Sequence, residues 1–200
     1  MYLNCHTYYS LRYGTFSELE LLQLAKDHGV TQLALTDINN TSACLNFVRK
    51  AAEYDIRPIL GIDFRNGVEP CFVGIAKNNE GFLELNNFLS HHIHHDKKIP
   101  EIASDFKDVF VIYPFEKVLE SEKKIFAAHE FIGVSVNELK RLRFSKLLEQ
   151  RDKIVLLQPV TFRNKRDFNA HRLLRAIDNN TLLSMLSVTE QARDDEHMYA

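Results

Sequence analysis

A barrel of parallel β-strands wrapped by helices is the fold class this sequence predicts, and three observations predict it. Apolar β-rich runs alternate with helix-patterned segments, at about 30 residues per strand-plus-helix unit, the length a right-handed crossover between parallel strands needs. About seven such runs occur along the chain, a number that suits closure into a barrel better than an open sheet. The first three runs end in polar residues, His6, Asp37 and Asp63, as expected where the carboxyl ends of parallel strands converge on a rim that carries a site.

The elements follow in order. Tyr2 to Thr7 forms the first strand, and Tyr8 to Phe16 a polar, aromatic loop. Ser17 stands three residues before Glu20, a capping box for a helix with Leu19, Leu21, Leu22, Leu24 and Ala25 on its apolar face and His28-Gly29 at its end. Thr31 to Asp37 is the second strand; Asn39-Asn40-Thr41 opens a helix carrying Ala43, Phe47, Val48, Ala51 and Ala52, and Arg57 to Phe64 is the third strand. Asn66-Gly67 signals a turn, so Pro70 to Ala76 reads as a strand antiparallel to, or adjoining, the third. Glu80 to Ser90 is a helix through Phe82, Leu83, Leu85, Phe88 and Leu89, and His91 to Lys98 a polar break. Val109 to Tyr113, Phe131 to Ser135 and Ile154 to Val160 are further strands. Between them, Glu116 to His129 is a candidate helix and Asn137 to Gln150 a helix; Arg166 to Asn179 closes the pattern as a helix. Residues 1–180 form one domain. Thr181 to Ala200 has weak periodicity and a charge cluster at Arg193 to Glu196, and reads as the start of a connection into a longer chain, expected to pack poorly.

The 200 residues are 45% hydrophobic and 26% charged, enough for one sizeable core. A net charge of -2 supplies no global attraction to nucleic acid or anionic membrane. Cys5, Cys44 and Cys71 are odd in number and sit in apolar segments, which suits reduced core thiols in the cytoplasm. No run of 18 apolar residues is present, so no membrane span is expected.

Three runs, Cys5-His6-Thr7-Tyr8-Tyr9-Ser10-Leu11, Leu33-Ala34-Leu35-Thr36-Asp37 and Ile56-Arg57-Pro58-Ile59-Leu60-Gly61, occur in this order and spacing. Ala76 to Phe82, Ile154 to Val160 and Ala170 to Ile177 continue the pattern. Together they resemble the polymerase-and-histidinol-phosphatase (PHP) domain, in the form found at the N-terminus of the bacterial DNA polymerase III alpha subunit. The resemblance implies a distorted (β/α)7 barrel, and in metal-binding members up to three ions at its carboxyl rim.

Position by position, that ligand pattern is mostly missing. The family's His-x-His is Asn4-Cys5-His6; the ligand before the following glycine is Tyr13, and Thr-Asp-His is Thr36-Asp37-Ile38. The glutamate after the third strand is Asp63, the histidine opening the next strand is Cys71, and a later ligand falls near Phe115. The closing Asp-x-His is Pro159-Val160-Thr161. Hydrolytic sites with two or three metals need several convergent imidazole and carboxylate ligands. His6, Asp63 and Cys71, with Asn4 as a poor fourth, offer at most one residual zinc or manganese site; Asp37, Tyr13, Ile38 and Thr161 are remnants of the rim.

The resemblance therefore implies a structural domain without catalytic residues or a required cofactor. It would position downstream polymerase domains of the same chain, which would use magnesium and meet DNA and replisome subunits. The rival is a metal-dependent phosphoesterase or 3′–5′ proofreading exonuclease using His6, Asp37, Asp63 and Cys71. Two other clusters read as solvated surface: His91-His92-Ile93-His94-His95, placed in a loop without a ligand pair fixed on a helix, and the basic residues Lys140, Arg141, Arg143, Arg163, Lys165 and Arg166. No Walker, G-x-S-x-G or Rossmann glycine motif is present.

Overall fold

The computed structural model describes residues 1–120 and 125–199. Its strands are β1 (Asn4–Cys5), β2 (Gln32–Leu35), β3 (Arg57–Asn66), β4 (Glu69–Ala76), β5 (Val109–Pro114), β6 (Glu130–Val134), β7 (Ile154–Leu156) and β8 (Pro159–Val160). Its α-helices are α1 (Glu18–Asp27), α2 (Cys44–Ala51), α3 (Asn79–His94), α4 (Phe115–Glu120), α5 (Leu139–Arg143) and α6 (Lys165–Asp178).

Strands β2 to β7 form one curled sheet in sequence order, and β1 pairs in parallel with β8. Two backbone bonds, Ala34 N–H to Tyr2 O at 2.9 Å and Thr36 N–H to Cys5 O at 3.0 Å, tie β1 to β2. The run Ile154 to Val160 acts as one strand in two halves, the first paired with β6 and the second with β1. This run closes the ring into a distorted barrel. Only β4 runs against its neighbours, through a hairpin whose Gly67 takes φ +64, a left-handed turn conformation that glycine adopts without strain.

The core follows the alternation of each strand. Ala34, Val73, Ile75, Ile112 and Leu157 fill the barrel interior, with Ile59, Phe131 and Val155 packed on them. Outward residues such as Leu33 and Leu35 meet α1 and α2, while Phe64, Phe72, Val111 and Ile132 lie in the layer that includes Leu85 and Leu89 of α3. Leu21 and Leu22 of α1 are fully buried, each worth roughly 2 kcal/mol. The capping box at the head of α1 is formed as expected: Glu20 N–H donates to Ser17 Oγ and Ser17 N–H to Glu20 Oε2. Cys5, Cys44 and Cys71 are free and buried. Among the described residues no helix is long and apolar enough to cross a membrane.

Several local expectations need correction. The histidine run is not a break: α3 continues through His94 and ends in a Schellman motif, with Lys97 N–H on His92 O, Asp96 N–H on Ile93 O, and Asp96 at φ +48. Asp96 fills the left-handed position that glycine usually marks, which hid the ending. The single helix expected over Asn137 to Gln150 is three short pieces, because Ser145 caps a new turn through Leu147 N–H and only Leu142 of α5 is buried. Asn39-Asn40-Thr41 does not open α2, which begins at Cys44; Asn39 instead brackets the Arg65 backbone, donating to its carbonyl at 2.8 Å and accepting from its N–H at 3.1 Å. Of the candidate helix Glu116 to His129, α4 occupies the first part and residues 121–124 lie outside the described residues. The last segment is exposed at Leu182, Met185 and Val188, yet Ala192, Glu196 and Met198 are buried against the domain.

Candidate functional site

The carboxyl ends of β1, β2 and β8 place His6, Asp37 and Thr161 on one rim, where Asp63, within β3 and bridged in parallel to Ile38, joins them; all four are buried. His6 is the hub. Its Nε2 lies 3.0 Å from Asp63 Oδ2 and its Nδ1 3.0 Å from Thr161 Oγ1. The Thr161 hydroxyl donates its own hydrogen to Glu196 Oε2 at 2.6 Å. A relay thus runs from Asp63 through His6 and Thr161 to Glu196.

Asp63 Oδ2 takes three further donors: Arg65 Nε at 3.0 Å, Arg65 Nη2 at 2.7 Å and Asn4 Nδ2 at 3.3 Å. Residues two apart on a strand share a face, which brings the Arg65 guanidinium back over Asp63. The pair is buried, and Tyr13 covers the guanidinium, with its ring 4.9 Å from the Arg65 Cζ. Burial alone would raise the Asp63 carboxyl; the Arg65 charge and the His6 contact outweigh it and hold the group down to about 2. Burial, followed by the Glu196 charge, pushes the Tyr13 hydroxyl up to about 12.

Asp37 has a different duty. Its carboxylate receives Thr7 N–H at 2.6 Å, Ser10 Oγ–H at 2.7 Å and Thr7 Oγ–H at 2.8 Å, which pins the loop following β1. Burial pushes the Asp37 carboxyl up, and the Ser10 and Thr7 donors oppose that shift. Gly14 completes this loop, where an added Cβ would sit 1.8 Å from Thr7 O. Ile38 packs with Tyr13 and Phe162. On the last helix, His171 donates from Nδ1–H to Tyr13 O at 2.7 Å and accepts the Ala192 N–H on Nε2 at 2.8 Å, the neutral tautomer that both partners require.

The expected set is thus only partly assembled. His6, Asp63, Asn4 and Thr161 converge, and Tyr13 lies over them. Cys71 does not join. The register of β3 and β4 shifts between Phe64 and Arg65, leaving Cys71 without a cross-strand partner and directing its sulfur to Asn66 Nδ2 at 3.3 Å and Ile99 O at 3.9 Å, within the outer core. Phe115 is likewise buried in that core. Arg65 and Glu196 are the residues that the sequence reading missed. Arg65 had a signal, its place two residues beyond Asp63; Glu196 had none, being 35 positions from Thr161 in an aperiodic stretch.

These donors do not fit the metal centre that the fold implies. Both His6 nitrogens are engaged, a guanidinium sits on Asp63, and among the described residues of the rim Asp63 Oδ1 alone is a buried acceptor without a partner. Among the described residues no three His, Cys, Asp or Glu side chains converge to hold an ion. The rim opens into a cavity of about 390 Å³ that Asn4, Tyr13, Asp63, Arg65, Arg193 and Glu196 help to line. A larger cavity of about 590 Å³ lies at the other end of the barrel, against Leu3, Ile59, Ile75, Phe82 and Phe110 with Arg57, Lys77, Asn78 and Asn79 at its edge; it holds no carboxylate or histidine, whereas the rim cavity is lined by Asp63 and Glu196.

A closed barrel with one reversed strand and polar residues gathered at its carboxyl rim defines the class of barrel proteins that build their sites from strand ends. The PHP domain model matches residues 3–153, and the chain belongs to that family. It is 28% identical over 182 residues to the DNA polymerase III subunit alpha of Ureaplasma parvum, covering 91% of this chain and 18% of that protein. It is 26% identical over 193 residues to the corresponding subunit of Staphylococcus aureus, covering 92% of this chain and 17% of that protein. An error-prone DNA polymerase of Symbiobacterium thermophilum is 32% identical over 90 residues, 45% of this chain and 8% of that one. The chain therefore spans under a fifth of the length of the alpha subunits it matches.

Proposed function

We propose that this chain is the N-terminal PHP domain of a DNA polymerase III alpha subunit and serves it structurally, without metal-dependent phosphoesterase or exonuclease activity of its own. The observation that carries this reading is the Asp63–Arg65 pair. A buried carboxylate that in metal-binding relatives would face an ion is neutralised here by a covalently attached cation at 2.7 Å. Two-metal hydrolysis needs one ion to polarise the phosphoryl oxygen and another to deliver hydroxide. Neither has a ligand set on this rim, because the positions that resemblance assigns to ligands carry Tyr13, Ile38 and Thr161, and Cys71 faces away. In this reading no cofactor is required, the first partners are the polymerase domains of the same chain, and DNA and replisome subunits are met in the cytoplasm through them.

The test is hydrolysis of a phosphomonoester and of DNA from its 3′ end, by the chain and by the longer polymerase that carries it, with zinc, manganese or magnesium added. No rate above background is expected. A metal-dependent rate lost in His6→Ala and Asp63→Ala but kept in Lys140→Ala would overturn the reading and restore the phosphoesterase alternative.

A further inference from the structure

The end of α3 carries a histidine cluster that the barrel rim does not use. Continuing the helix through His94 places His91 and His95 one turn apart on the same face, the i, i+4 spacing by which a helix presents two imidazoles to one ion. Their ring centroids are 4.5 Å apart and their planes inclined by 37°. Both side chains are exposed.

Hydrogen bonds fix which nitrogen each ring offers. His95 Nδ1 lies 2.8 Å from His91 O, a carbonyl that can only accept, so Nδ1 carries the proton and Nε2 keeps its lone pair. The Lys97 ammonium, which can only donate, lies 3.3 Å from His91 Nε2, so that nitrogen also presents a lone pair. His92 is directed elsewhere, with Nδ1 on Phe88 O at 2.8 Å and its ring at 81° to that of His91. The pair also stands at the negative end of the helix dipole, which favours a cation.

We propose that His91 and His95 form a two-imidazole binding site for a divalent transition-metal ion of the zinc, nickel or copper type, and that the ion displaces Lys97 from His91. Imidazole suits these metals, and calcium or magnesium would find none of the oxygen ligands they require. No third side chain converges among the described residues, so the remaining positions belong to water or to a ligand from solution. An ion found on this protein would then belong to the surface of α3, separate from the barrel rim.

Calorimetric titration of Zn²⁺ into the chain, and into the longer polymerase, tests this. Saturable binding of one ion is expected. His91→Gln and His95→Gln should each weaken it by about tenfold or more, in line with the loss caused by disturbing even outer partners of a metal. Lys97→Ala should tighten it roughly fivefold, the effect of removing one nearby like charge in water. Zinc should also slow amide exchange over residues 93–97 in the parent chain and leave it unchanged in the double His91→Gln, His95→Gln variant. All three side chains are exposed on a helix end, so the variants should keep the parent's circular dichroism. Absence of saturable binding, retention of binding in the double variant, or weaker binding in Lys97→Ala would each overturn the proposal.

Discussion

Replacing Arg65 by alanine is the sharpest test of the barrel rim. In the parent, Asp63 is held at about 2, against an ordinary value of 3.8. That difference corresponds to roughly 2–3 kcal/mol favouring the folded, ionised form. Its folded pKa is depressed, so this stability is present above about pH 4 and is lost as pH falls toward 2. Arg65→Ala removes both guanidinium bonds and leaves the carboxylate buried beside His6 and Asn4 alone. Breaking a buried pair on one side costs about 3–5 kcal/mol, which for a domain of this size lowers Tm by roughly 10 °C. Burial should then dominate and raise the Asp63 carboxyl above its ordinary value, so the penalty should be largest near pH 7 and shrink as protonation relieves it. Urea unfolding of parent and variant at pH 7, 5.5 and 4.5 reads both effects. The volume-matched double change Asp63→Asn, Arg65→Met should recover most of the loss, since no charge is stranded. A loss under about 1 kcal/mol, or one independent of pH, would refute the claim that Arg65 is the counter-charge of the rim.

Three further outcomes are expected. Asp37→Ala removes an acceptor of three short bonds and should cost about 3 kcal/mol with faster proteolysis at residues 8–14, whereas Asp37→Asn, which keeps one acceptor oxygen, should cost well under half as much; equal losses in urea unfolding would count against the loop-pinning role. Burial pushes the His171 imidazole down, and Arg175 and His6 add to this against the Tyr13 carbonyl and Glu196. Its contribution is therefore full above the ordinary value of 6.5 and lost as pH falls below it, so His171→Gln should flatten the decline in urea midpoint between pH 7.5 and 5.5. Deleting residues 192–200 removes buried Ala192, Glu196 and Met198 and should lower stability by about 2–4 kcal/mol, measurable by thermal unfolding; an unchanged Tm would show that the segment is dispensable.

Much of this was legible in the sequence, and the reasons are local. Strand alternation and helix capping depend on neighbours a few residues apart, so the barrel, the capping box at Ser17 and the rim positions of His6, Asp37 and Asp63 could be read directly, while Thr161 came only from the family resemblance. Cys71 was misplaced because a bulge inserts one residue and turns a side chain away from the face that simple alternation assigns it. The end of α3 was hidden because Asp96 adopts the left-handed conformation without being glycine. Glu196 was invisible for a different reason. Its partner lies on another strand end, and neither periodicity nor a turn signal marks a tertiary hydrogen bond.

The rim residues bond to one another and also hold the loops around them. Asp37 holds the loop after β1 through Thr7 and Ser10, Thr161 holds the final segment through Glu196, and Arg65, bracketed by Asn39 through its backbone, ties the loop after β2 to the end of β3. A rim rich in carboxylates cannot simply go without ions, because each buried, unpaired carboxylate would cost several kcal/mol. Arg65 supplies the missing positive charge at Asp63, and the Thr161 hydroxyl with the Arg193 backbone N–H supplies hydrogen bonds at Glu196. The same guanidinium stands against any divalent ion approaching Asp63, so restoring a histidine at position 38 alone would add a ligand without removing the competing charge. In the proposed reading, fold and metal chemistry are set in opposition at Asp63: the guanidinium that neutralises the carboxylate competes with any ion for it.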